Sequence, residues 1–500
     1  MTRGNVLSIA RRGGAMSVAV AAASFMLAGC AKFSPDGGMT FVAEQSGGIL
    51  GKDAVKIRTE DDSAAAQSRV RSLLSKPLAA DTAVQIALLN NRGLQAAYNE
   101  LGASEAEMVE ASLPPAPSVS LSNVTGTGFE IERQLAQNVL ALFTLPRRRE
   151  IAEDQFRAAQ MRAVEATLRT GADARRAYYR ALAAAQTVKF LEEARLSADS
   201  LSELAKKLGE TGAMPKLDQA RQHAFYAEVS GDLAVARLKQ RREREALNRA
   251  LGLWGTDLSY RLPDKLKSLP AKPRLANQIE TEAITSRVDM EIARMDLAVL
   301  AKQFGLTRAT RYIDVLEVSG RSTREHTPTS DVSYSLDAGP PPMLTSRPTS
   351  GVEKTSRNGV DITFQIPIYD FGESRIRLAE ETYFKGVNLL IDRAVNVRAD
   401  ARQAYQTYRG SYDIARYYDK EILPLRNIIS EQTLLNYNGM LSDLFDLLAD
   451  ARSRVSANIK AIEAKRDFWL ASVDLQAAIY GGGMGRTDDS ATELASGNPD

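Results

Sequence analysis

The chain has 500 residues, with 64 Lys and Arg against 62 Asp and Glu, two His and one Cys. That balance leaves no basic footprint for nucleic acid. A single Cys excludes an internal disulfide, and so few His and Cys exclude a His/Cys metal cluster. Aromatic residues make up 6% and charged residues 25%, which suits extended Ala-rich helices better than a thick globular core.

Residues 1–29 read as an export signal. Arg3, Arg11 and Arg12 form a basic start, and AMSVAVAAASFMLA (15–28) is an apolar run too short to span a bilayer. The run ends Leu27-Ala28-Gly29-Cys30, which resembles the lipobox of bacterial lipoproteins, so Cys30 is the expected lipid attachment point. Ala31 and Lys32 follow rather than Asp, and that pattern directs a lipoprotein to the outer membrane. An ordinary secretory signal with a chance Cys, or a twin-Arg signal at Arg11-Arg12, is the alternative. No later apolar run is long enough for a transmembrane helix.

A lipidated N-terminal segment is expected over 30–80, followed by two copies of one plan. The first repeat, 81–252, reads as a helix over 81–112, a Pro-rich turn LPPAP, strands over 118–125 and 129–145, a long helix over 147–208, a Gly turn and a return helix over 215–251. A linker over 253–280 carries Pro263, Pro270 and Pro273. The second repeat, 281–480, has a helix over 281–310, strands near 312–322 and 359–369, a long helix over 374–437 and a return helix over 442–480. Between its strands, 323–358 reads as an aperiodic Pro, Ser and Thr loop. The tail 481–500 lacks apolar periodicity and is expected to be disordered. LFTLPRRREIAE (142–153) pairs with TFQIPIYDFGES (363–374), and LGETGAMPKLDQAR (208–221) with LNYNGMLSDLFDLL (435–448).

A long helix of this length spans about 90 Å, more than a globular domain uses. The strands are four per chain, and four cannot close a membrane barrel. Open sheet edges are not tolerated in lipid, so membranous strands require several chains. Asp361-Ile362-Thr363-Phe364-Gln365-Ile366 alternates polar and apolar, as on a barrel wall with a wet lumen. A small soluble antiparallel sheet would look the same locally.

The lipobox, the duplicated plan and the four strands together resemble the TolC-type outer-membrane efflux channel family. AVQIALLNNRGLQAAYNELGASEAEMVEASLPPAPSVSLS (83–122) is similar to that family's opening signature, with Arg92 where Pro is common. SRVDMEIARMDLAVLAKQFGLTRA (286–309) resembles its second-half counterpart, with Val288 at the usual Pro. FQIPIYDFGESR (364–375) resembles a strand-to-helix junction, and YNGMLSDLFDLLADAR (437–452) the periplasmic tip. The resemblance implies a mainly α chain with a membrane β-barrel portion. It implies a homotrimer with a 12-stranded barrel and a 12-helix periplasmic tunnel. The 323–358 segment would then be extracellular. The chain would be a passive conduit, docked on a periplasmic adaptor that serves an inner-membrane pump. The outer component of a type I protein-secretion system, or a scaffold lipoprotein with no pore, is the alternative.

Under that resemblance Leu208, Gly209, Gly212, Tyr437, Gly439 and Met440 lie at the tip and meet the adaptor. Gly212 and Gly439 are expected to supply the positive φ of tight helix reversals. Asp218, Asp443 and Asp446 are pore-constriction candidates, while counting from Gly439 puts the family's gate aspartates on Phe445 and Leu448. Acids in a helix's first turn also simply offset its dipole. Arg147, Arg148 and Arg149 read as a solvated charge run, with lipid phosphate as the second reading. No catalytic set, metal set or cofactor motif appears, so no enzyme is expected, and the covalent lipid on Cys30 is the one attached group.

Overall fold

The computed structural model describes residues 33–126, 128–275, 278–341, 343–439, 441–442 and 444–483. Cys30, the export signal, Met440, Asp443 and the tail from 484 onward lie outside the described residues. The chain divides into two compact units.

The first unit comprises the described parts of 1–37, 105–153 and 302–378. It holds one antiparallel sheet in the order β1-β2-β3-β4, with β1 Ser118–Thr125, β2 Phe129–Asn138, β3 Val315–Asp337 and β4 Met343–Gln365. The sheet is a meander with both edges, β1 and β4, open. β2 is shorter than its sequence suggests: the chain turns helical at Val139 and passes Pro146 inside the helix. Pro146 is therefore not the structural counterpart of Pro367, which lies in the turn after β4. The 323–358 segment also corrects the sequence reading. It is no aperiodic loop; β3 and β4 stay paired from Val315↔Gln365 to Asp337↔Met343. Each strand is 23 residues long. Cross-strand Ser and Thr contacts accompany this upper pairing, with the Ser333 hydroxyl 3.4 Å from that of Thr349 and Ser335 3.3 Å from Thr345. In β3, Asp331-Val332-Ser333-Tyr334-Ser335-Leu336-Asp337 alternates polar and apolar as a strand does, whereas the partner run TSRPTSG (345–351) of β4 does not.

The second unit comprises 38–104, 154–301 and the described parts of 379–500, and its elements are helical. In chain order the helices are α1 Met39–Leu50, α2 Glu60–Leu74, α3 Ala80–Asn90, α4 Arg92–Ser112, α5 Val139–Glu210, α6 Lys216–Leu251, α7 Ile279–Ser286, α8 Val288–Ala309, α9 Glu373–Tyr417, α10 Leu423–Asn438 and α11 Leu444–Tyr480. The ends of α4, α5, α8 and α9 belong to the first unit. The opening helix of each repeat is broken, not continuous. Asn91 has φ −71 and ψ 114, and Arg287 has φ −76 and ψ 122. These are the angles a following Pro imposes, held here without one. Asn91 Oδ1 accepts from the Leu94 N–H at 3.1 Å and its amide donates to the Ala250 carbonyl at 3.2 Å. Arg287 donates to Asp289 at 2.9 Å and to Asp400 at 3.3 Å.

The second long helix is interrupted too. A π turn over Tyr418–Ile422 separates α9 from α10. Pro424 has no N–H to return to the Lys420 carbonyl, and its ring crowds that carbonyl. The wider i→i−5 bond from the Leu423 N–H to the Tyr418 carbonyl relieves both problems. α9 buries Val397, Ala401, Ala404, Tyr408, Tyr412 and Ala415, whereas α10 buries nothing.

Small side chains let the helices pack closely. Ala174, Ala177 and Ala181 of α5 meet Ile86, Leu89, Leu247 and Leu251 in one cluster, while Ala401 and Ala404 of α9 meet Phe468, Ala471 and Ala478 of α11 in another. The linker after α6 is stapled to these clusters by side chains that satisfy its backbone. Tyr412 Oη donates to the Pro270 carbonyl at 3.0 Å, Trp469 Nε1 to the Lys267 carbonyl at 3.1 Å, and Gln186 Oε1 accepts from the Leu266 N–H at 2.9 Å. One group strains this interior. Burial, reinforced by Asp289, pushes the carboxyl of Glu165 above its ordinary value of 4.5, although Arg393, Arg287 and Arg169 pull it back.

Candidate functional site

The sheet sorts its side chains by face. Directly paired residues point the same way, so the register defines two sets. One set holds Glu130, Glu132, Gln134, Glu317, Ser319, Arg321, Glu325, Arg357 and Asp361. Its charges are tied together: Arg321 reaches Glu132 at 2.9 Å and Asp361 at 3.4 Å, and Arg357 reaches Glu325 at 3.8 Å. Gln134 Nε2 donates to Ser319 Oγ at 3.1 Å. The opposite set holds Val119, Leu121, Leu135, Leu316, Val318, Val360, Ile362 and Phe364. Val119, Val360 and Phe364 are 69%, 73% and 60% exposed. An apolar face this bare on a described chain marks a surface that meets something other than water.

The β4-to-α9 junction is built tightly. Gly372 has φ 75, and a Cβ there would lie 2.3 Å from the Arg311 carbonyl oxygen, so glycine is required. Asp370 caps the start of α9: its carboxylate accepts from the Ser374 hydroxyl, from the Gly372 N–H at 3.0 Å and from the Ser374 N–H at 3.2 Å. The Ser374 hydroxyl, then these two N–H groups, hold its pKa below the ordinary 3.8. Arg375 pairs with Asp314, and Arg311 with Glu373 at 3.3 Å.

At the helical reversals the two repeats differ. Gly212 has φ 77 and sits in open space, as its role in the turn between α5 and α6 requires. Gly439 does not: its φ is −82 and ψ 3, a conformation open to any residue, so the expected positive φ is corrected. Leu208 and Tyr437 are half-buried beside these turns. Gly209 lies within the last turn of α5, where a Cβ would meet the Gln219 side chain at 2.1 Å.

Asp218 sits in the first turn of α6 and pairs with Arg221 at 3.1 Å. The Arg221 guanidinium lies over the Phe445 ring at 5.6 Å. Farther along, Arg452 pairs with Glu228 at 3.0 Å and covers Phe225 at 5.7 Å. These contacts join α6 to α11 and bring Asp218 and the start of α11 to one place; Asp446 is exposed in that first turn. Leu448 is instead buried among Val188, Leu191, Phe225 and Val229. The Arg–aromatic pairing was missed in sequence because its partners lie more than 200 positions apart. Nearby Gln222 is 1% exposed with neither amide atom bonded. Of the arginine run, Arg147 pairs with Glu150 at 2.9 Å and Arg149 with Glu153 at 3.0 Å, the solvated arrangement. Among the described residues no group of acids, His or Cys could hold a metal ion, and no helix is long and apolar enough to cross a membrane.

No protein-family model matches the chain, and no curated protein matches it. Solved structures do. The chain is similar to CusC, described for its folding and transmembrane channel formation, at 17% identity and a TM-score of 0.62, over 83% of this chain and 92% of that one. It is similar to the outer membrane protein VceC of Vibrio cholerae at 15% identity and a TM-score of 0.62, over 83% and 97%. The CmeC outer membrane channel of Campylobacter jejuni gives 17% and 0.60, over 83% and 88%. The chain thus has the fold of the TolC-type outer-membrane channels, mainly helical with four strands per chain.

Proposed function

We propose that three copies of this chain close a channel in the outer membrane of a Gram-negative bacterium. The observation that carries this reading is the sheet: four strands, two open edges, one apolar exposed face and one polar, salt-bridged face. Four strands per chain close as twelve, with the apolar face toward lipid and the charged face toward a wet lumen. The helical repeats then form a periplasmic tunnel of twelve helices. The channel is a passive conduit in a tripartite efflux system, fed by an inner-membrane pump through a periplasmic adaptor that docks at the reversals near Gly212 and Gly439. Lipid on Cys30 adds a second hold on the membrane. Ser34, close behind it, donates its N–H to Glu105 at 2.6 Å within the unit that carries the sheet, which supports an anchor near the barrel.

Light scattering of the detergent-extracted protein, with the detergent subtracted, tests the assembly. A mass of three chains followed by single-channel current in planar bilayers is the expected result. A stable monomer without current would sink the channel and leave the pore-free scaffold lipoprotein.

A further inference from the structure

Every acid of the four strands stands on one face of the sheet. The register places Glu130, Glu132, Glu317, Glu325, Asp331, Asp337, Glu353 and Asp361 together, and the opposite face carries none. That acid-free face is apolar at the end near Asn138, through Leu316, Val318, Leu135, Val360, Ile362 and Phe364. Toward the other end of the four-stranded region it turns cationic. Arg133 stands opposite Ser322, Arg324 opposite Ser356, and Lys354 opposite His326.

These three cations lie on successive outward rows of β2, β3 and β4. Strand spacing of ~4.8 Å and a rise of ~3.4 Å per residue put neighbouring members about 8 Å apart on a diagonal. All three are exposed. None of their side chains has an ion-pair or hydrogen-bond partner among the described residues, in contrast to Arg321 and Arg357 on the other face, which are paired. The Phe129 ring lies tilted against His326, centroids 5.4 Å apart, in the top row, giving an aromatic side chain at the same level.

We infer that Arg133, Arg324 and Lys354 form a binding site for the phosphate groups of a phosphorylated outer-leaflet lipid. This rests on the channel reading, which turns the acid-free face toward lipid and its far end outward. Unpaired cations on a lipid-facing wall are costly at the bilayer midplane and tolerated at its interface, so the three rows mark the outer boundary of the hydrocarbon. Arg presents a planar fork to phosphate and Lys a mobile point charge. The absence of any acid on that face leaves nothing to compete with or repel the lipid anion.

The test uses the full-length lipidated protein in detergent, with native mass spectrometry reading retained lipid. The probes are bisphosphorylated lipid A and the same lipid with both phosphates removed. Wild type is expected to retain the phosphorylated lipid at least tenfold better. The triple variant R133Q/R324Q/K354Q is expected to lose that preference while keeping its assembly and single-channel current; the double variant R324Q/K354Q serves if the triple variant fails to assemble. Equal retention of both lipids by wild type, or an unchanged preference in either variant, would overturn the site. Displacement of the lipid by equimolar inorganic phosphate would also overturn it, by making this a free-anion site. Wild-type protein that neither assembles nor conducts rejects the channel reading itself, and the lipid site with it.

Discussion

Gly372 directly precedes α9 and Gly439 ends α10, and their backbones ask different things of them. At Gly372 a left-handed φ of 75 coincides with the Arg311 carbonyl 2.3 Å from a would-be Cβ. Gly372→Ala should cost about 2 kcal/mol or more, whereas Gly439→Ala, with φ −82, should stay within about 0.5 kcal/mol. Thermal melts of both variants followed by circular dichroism check the contrast; equal shifts would contradict it. Glu165 offers a second residue-level test. Its carboxyl is raised in the folded state, so the folded protein binds the proton more tightly than the unfolded chain. The ionised group therefore destabilises the fold above the ordinary value of 4.5, and the penalty disappears as pH falls through the raised pKa to that value. Glu165→Gln should melt higher than wild type at pH 7, with the difference shrinking toward pH 4.5. A gain that persists unchanged below pH 4.5 would show that the carboxyl is not the cause.

At the scale of elements, the breaks at Asn91 and Arg287 keep a proline's geometry without the proline. Asn91 caps α4 through its own side chain, so Asn91→Ala should cost about 1 kcal/mol. Arg92→Pro, by contrast, enters an exposed first helical position behind a residue already at ψ 114. It should leave the melting temperature unchanged or raise it; a large fall would mean that the Arg92 side chain or N–H carries a contact the geometry hides. The same elements show what the sequence could reveal. Long Ala-rich periodic runs announce α5, α6 and α11 because an apolar stripe must be buried along the whole helix. Order and spacing announce the duplication and the strands near Ser118 and Ile362. The breaks stay hidden because Asn and Arg end helices only through partners such as Ala250 and Asp400, far away in sequence. In the upper half of β3–β4 the alternation of Val332, Tyr334 and Leu336 with Asp and Ser is legible, but its partner stays hidden because TSRPTSG (345–351) carries no apolar contrast. At the reversals, Gly212 is legible as a turn residue. The pairing of Arg221 with Phe445 is not, since neither residue type signals a contact by itself.

For the whole molecule, the proposed three-fold assembly would repeat the start of α11 around a single axis. Three copies of Asp446 would then ring the tip, and replacing it together with Asp443 by Ala is expected to lower cation preference in planar bilayers. Unchanged conductance and selectivity would count against a constriction there. The mismatch between the two open edges of the sheet has a consequence of its own. β1 has 8 residues and β4 has 23, so a neighbouring β1 can pair with only about a third of the β4 edge. The remainder would stand above the closed wall as an unsatisfied template, the kind of rail on which stray chains crystallise into fibres. Pro348 lacks a donor, Gly351 weakens the strand, and Arg347 and Glu353 add charge. These residues would make the protruding rim a poor seed, and would let the proposed barrel, with its ragged upper edges, remain a discrete particle.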